Sequence, residues 1–124
     1  MSRKGYSTTL AAQTLEKLRS LRYADDKTFA LEWARSRAES RGYGPLRIHR
    51  ELSAKGVDEA LIRDALREIF RREDESEKAK LVLEKHFRGS KLDEPKILRR
   101  AAAFLQRRGF SEAVISSLLR HNED

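Results

Sequence analysis

The sequence has no cysteine, only two prolines, one tryptophan and six glycines in 124 residues. Without thiols it can form no disulfide, no thiolate zinc site and no cysteine nucleophile, so packing must hold the fold together. It lacks an apolar run near the ~20 residues of a membrane span, and it lacks the hydrophobic N-terminal stretch of a secretion signal. A soluble, intracellular protein with no membrane partner is therefore expected. Also missing are a glycine-rich phosphate loop, a nucleophile elbow and a zinc-protease helix. Gly42-Tyr43-Gly44 has neither a preceding strand nor a suitably placed phosphate-loop lysine. His49, His86 and His121 are widely separated, without the spacing of a metal site. No catalytic residue, metal ligand or cofactor is nominated, and the chain reads as a non-enzyme.

What the chain has in abundance is charge. Charged residues make up 38% of the sequence and apolar ones 39%, a composition that permits a thin core but is too apolar for disorder. Lys and Arg number 27 against 20 Asp and Glu, a formal net charge of +7. The excess is +4 over residues 1–41, +1 over 42–71 and +2 over 72–124. This balance favours an acidic partner such as nucleic acid without specifying one.

Apolar residues recur three or four apart along most of the chain, as in Leu61, Ile62, Ala65, Leu66 and Ile69, or Ile97, Leu98, Ala101, Phe104 and Leu105. The fold class is all-α. Helices are predicted at 7–21, 26–41, 45–55, 58–71, 75–87, 95–107 and 111–121. Pro45 and Pro95 suit first helical positions, residues 89–92 read as a loop, and Asp25-Asp26 reads as a helix cap. Phe29 and Trp33 are expected in the core, and Tyr43 at an exposed corner.

The helix borders repeat. Lys4-Gly5-Tyr6-Ser7, Lys55-Gly56-Val57-Asp58 and Arg108-Gly109-Phe110-Ser111 each run basic residue, glycine, apolar residue, cap. A glycine past a helix end can turn left-handed, the next apolar residue can staple onto the following helix, and Ser or Asp can cap that helix's amides. Ala11, Ile62 and Ile115 each fall six residues after their glycine, and Leu15, Leu66 and Leu119 ten after. The pattern predicts an elongated tandem array of three-helix repeats with a partial first repeat. Its units are 1–22, the last helix of an incomplete repeat, 23–70 and 71–124. A partial unit leaves an apolar helix face short of neighbours.

Two basic clusters are candidate partner-binding surfaces. Arg35, Arg37, Arg41, Arg47, Arg50 and Lys55, with Tyr43, flank the Gly42-to-Pro45 corner. Lys96, Arg99, Arg100, Arg107 and Arg108 form the second. Solvated helix faces are the alternative reading. Glu39, Glu51 and Asp58 interrupt the first cluster and no motif reads bases, so any nucleic-acid contact would be sequence-nonspecific.

The stretch from Tyr23 to Trp33, with Arg35, Arg37, Gly42, Gly44-Pro45, Arg47-Ile48 and Glu51-Leu52, closely resembles the central repeat of bacterial RecX proteins. Arg107-Arg108-Gly109-Phe110-Ser111 with Val114-Ile115 resembles that family's C-terminal repeat. The resemblance implies an array of three-helix repeats, monomeric alone, that binds the RecA recombinase filament and the single- or double-stranded DNA within it. It implies an inhibitory modulator of recombination and DNA repair, with the surface around Arg35, Arg37, Arg47, Arg50 and Lys55 in contact. The family has a complete first unit, whereas this chain starts near that unit's last helix; a short relative, a misassigned start and a fragment are the alternatives. An independent nucleic-acid-binding protein is the competing functional reading.

Overall fold

A computed structural model describes the backbone of residues 2–123, and side chains over 11–71 and 74–120. Among these residues there are six helices and no strand: α1 Ser2–Ser40, α2 Pro45–Ala54, α3 Glu59–Ile69, α4 Arg72–His86, α5 Pro95–Arg108 and α6 Glu112–Glu123. None is long and apolar enough to cross a membrane.

The helices bury two separate cores. In the first, Ala30, Ala34 and Ala38 line one face of α1 at intervals of four and meet Ile48 and Leu52 of α2 and Leu61, Ile62 and Ala65 of α3. Small side chains on α1 let α3 approach closely while preserving helix propensity. In the second, Ala79 and Leu83 of α4 pack with Ala101, Phe104 and Leu105 of α5 and Ile115 and Leu119 of α6. Each core is a three-helix unit.

Two of the three expected corners form. After α2, Gly56 turns left-handed at φ +83°, the Val57 amide donates to the Leu52 carbonyl at 3.1 Å, and the Gly56 amide donates to the Ser53 carbonyl at 3.0 Å. After α5, Gly109 (φ +97°) and Phe110 repeat the pattern onto Gln106 and Leu105, both at 3.1 Å. These are Schellman ends, which satisfy carbonyls that a helix terminus would strand. Val57 and Phe110 are buried in the same cores as Ile62 and Ile115, as a staple requires. Ser111 Oγ accepts from the Val114 amide at 3.4 Å, whereas Asp58 occupies the N-cap position of α3 without a side-chain cap bond.

The third corner does not form. Gly5 lies within α1, and the helices predicted at 7–21 and 26–41 are one. No proline occurs before Pro45, and a lone glycine costs a helix interior only about 1 kcal/mol relative to alanine, too little to end it. Asp25 and Asp26 accordingly sit in mid-helix rather than at a cap. The register of the other corners fails here too: Ala11 is exposed and Leu15 is 53% exposed, while Ile62, Ile115 and Leu119 are buried. Leu18 and Leu21 are likewise exposed. The first half of α1 carries an apolar face with nothing against it among the described residues.

Candidate partner-binding surface

The α1–α2 corner and the α5–α6 corner lie back to back, and the main chain joins them. The Gly44 amide donates to the Arg108 carbonyl at 2.7 Å, and the Leu46 amide to the Gly109 carbonyl at 2.9 Å. A Cβ on Gly44 would stand 2.5 Å from the Gly109 oxygen, and one on Gly109 would stand 2.3 Å from the Arg47 Cβ. Only glycine permits this approach. Arg47 Nη1 also donates to the Arg107 carbonyl at 3.3 Å, and Arg108 Nη1 donates to the Arg41 carbonyl.

Around this joint the first basic cluster divides into tied and untied residues. Glu51 is the hub. Its Oε1 accepts from Trp33 Nε1 at 3.0 Å and lies 3.8 Å from Arg37 Nε, while its Oε2 lies 3.9 Å from Arg47 Nε, one helical turn away. Arg37 stacks on the Trp33 ring at 4.1 Å, Lys55 Nζ stands 4.4 Å from that ring, and Arg47 covers Tyr43 at 3.9 Å. Such cation–π contacts hold long side chains in fixed positions. Arg37 and Arg47 thus contribute structure as well as charge. Arg35, Arg41 and Arg50 are exposed.

Three aromatic side chains depart from expectation. Trp33 is half-buried at the core's edge because its ring nitrogen needs Glu51 and its face serves two cations. Phe29 is 40% exposed, with its ring 5.7 Å from Trp33. Tyr43 is half-buried against the first core beneath Arg47 rather than free at the corner.

In the second cluster Lys96, Arg99, Arg100 and Arg107 are exposed along α5, while Arg108 is half-buried over Phe104. The two clusters meet: Arg47, Arg50, Glu51 and Ala54 of α2 face Ala103, Gln106 and Arg107 of α5 across an open groove. Three guanidinium groups from two units therefore line one channel, suited to a polyanion or an acidic protein surface. Sequence reasoning read Trp33 as core and Glu51 as an interruption. The four-residue spacings Trp33–Arg37 and Arg47–Glu51 were the signal of a connected site. His49, outside both clusters, reaches from α2 to Glu59 of α3 with Nε2 at 2.8 Å from Oε1.

The architecture defines a class: an all-helical tandem array of three-helix units with basic residues at the joint between units. Family models agree in both units, with the RecX second three-helix domain matching residues 25–66 and the RecX third three-helix domain matching residues 73–119. The chain belongs to the RecX family. It is 33% identical to the regulatory protein RecX of Mycobacterium sp. (strain KMS) over 118 residues, which cover 92% of this chain and 64% of the relative. Against that of Bacillus subtilis (strain 168) identity is also 33%, over 120 residues covering 96% of this chain and 45% of the relative. The Mycobacterium marinum protein is 33% identical over 116 residues, covering 92% and 66%. The chain thus spans from about half to two thirds of the length of these curated relatives. No solved structure matches it.

Proposed function

We propose that the chain is a non-enzymatic modulator, inhibitory in direction, that binds the RecA–DNA filament and regulates recombination and DNA repair. The observation that carries this reading is the groove in which Arg47 and Arg50 of one unit face Arg107 of the next. A groove shared by two units responds to the spacing of acidic groups on a repeating partner, which a single basic helix would not do. Relatives named regulatory proteins support a regulatory role. The mechanism is steric and electrostatic: the joined units bridge neighbouring recombinase subunits and the filament's DNA, and so limit filament growth.

The test is association with purified RecA, together with its ATPase rate, with and without single-stranded DNA. The wild-type chain associates and slows ATP hydrolysis on DNA. Replacing Arg35, Arg50 and Arg107 with glutamine weakens association while leaving helicity intact, because all three side chains are exposed. Arg37 and Arg47 are poor choices, since their loss would also loosen Trp33, Glu51 and the joint. No association across a broad titration would reject the reading. Equally tight, salt-sensitive binding to bare DNA would favour an independent nucleic-acid-binding protein instead.

A further inference from the structure

A second cleft opens where the end of α1 meets α4 and α5, with a volume of about 580 Å³. Its floor is apolar, made by Ala38, Val82 and Phe104, and Leu81 stands at its mouth with 65% of its surface exposed. Cations surround that floor. Lys78 and Lys85 lie on the same face of α4 as Leu81 and Val82, at intervals of three and four residues, and Arg41 and Arg108 contribute from α1's end and α5. Arg108 is fixed in place by the Arg41 carbonyl and the Phe104 ring. Among the described residues Lys78, Lys85 and Arg41 form no ion pair, and Glu39 is the one acidic side chain in the lining.

Leu81 is a large aliphatic side chain held in water within a ring of positive charge. A nucleic-acid strand would neutralise the ring but leave that side chain and the aliphatic floor uncovered. Strand-binding sites also offer successive open aromatic faces to bases, whereas Phe104 is buried and the exposed His86 has one ring face stacked against it at 4.0 Å, leaving a single face open. The complementary chemistry is an apolar side chain flanked by carboxylates.

We propose that this cleft binds an acidic peptide segment carrying a large apolar side chain. The apolar group seats against Leu81 and Val82, and the flanking carboxylates meet Lys78, Lys85 and Arg41. This inference stands apart from the recombinase reading, and its test contains no recombinase.

The experiment is a fluorescence-anisotropy titration of the full chain at low salt with three labelled probes. These are a seven-residue Asp/Glu peptide with a central phenylalanine, the same peptide with a central alanine, and an oligothymidylate. The phenylalanine peptide binds at least ~10-fold more tightly than the alanine peptide, and it loses ~10-fold or more in a Lys78→Gln/Lys85→Gln double variant. Leu81→Ser weakens the phenylalanine peptide ~5-fold and leaves oligothymidylate binding unchanged. Circular dichroism melts of both variants establish that they remain folded. Equal binding of the two peptides, or binding indifferent to the two lysines, would overturn the proposal. So would oligothymidylate binding that depends on Leu81, which would make the cleft a nucleic-acid site.

Discussion

Trp33 and Gly109 show how much rests on single residues. The one tryptophan of the chain donates to Glu51 while Arg37 and Lys55 both lie against its ring. Trp33→Phe keeps an aromatic ring but removes the one hydrogen-bond donor within 3.0 Å of the Glu51 carboxylate, leaving it to the longer Arg37 and Arg47 pairs, and should cost ~1–2 kcal/mol in urea denaturation followed by circular dichroism. Gly56 and Gly109 both take left-handed backbone, yet nothing lies within 4 Å of a Cβ built on Gly56, whereas one built on Gly109 would stand 2.5 Å from the Arg47 backbone nitrogen. Gly56→Ala should therefore cost only the conformational penalty of ~1–2 kcal/mol. Gly109→Ala should cost clearly more, because the joint must also open; equal midpoints in urea for the two variants would contradict this.

Among the elements, α1 changes character along its length. Its second half buries Ala30, Ala34 and Ala38, while residues 11–22 are exposed throughout, including Leu15, Leu18 and Leu21. Backbone amides of residues 15–22 should exchange with deuterium far faster than those of residues 30–38, although both segments belong to one helix. A triple replacement of Leu15, Leu18 and Leu21 by glutamine should shift stability by less than ~0.5 kcal/mol, against ~2–5 kcal/mol for Leu52→Ala in the core. This contrast also marks where the sequence is readable. Gly56-Val57 and Gly109-Phe110 announce their corners because glycine, staple and following helix lie within a few residues and a packed partner helix rewards the turn. Lys4-Gly5-Tyr6-Ser7 spells the same signal, yet the helix runs through it. The basic residues were legible by type and spacing. Their division into tied and untied was not, because Trp33 meets Glu51 18 positions away and Arg47 meets Arg107 60 away.

At the scale of the whole molecule, two cores share one joint, so cooperativity depends on a few atoms between Gly44 and Gly109. In a repeat array, overall stability combines the stability of each unit with the interface between them. The wild-type chain should melt in one transition. Gly44→Ala, which forces a Cβ into the Gly109 carbonyl, should separate the melt into two by differential scanning calorimetry while preserving most helicity. A single transition at the wild-type temperature would mean that the joint contributes nothing.

Because main-chain hydrogen bonds from Gly44 and Leu46 form the centre of that joint, with Arg47 and Arg108 adding side-chain bonds across it, the angle between units is indifferent to the other residues that α2 and α5 display outward. Surface lettering can drift, even reverse in sign, while the hinge geometry and the ruler it sets stay put. Affinity and spacing are thereby separable properties of this scaffold, and an engineer could rewrite one without disturbing the other.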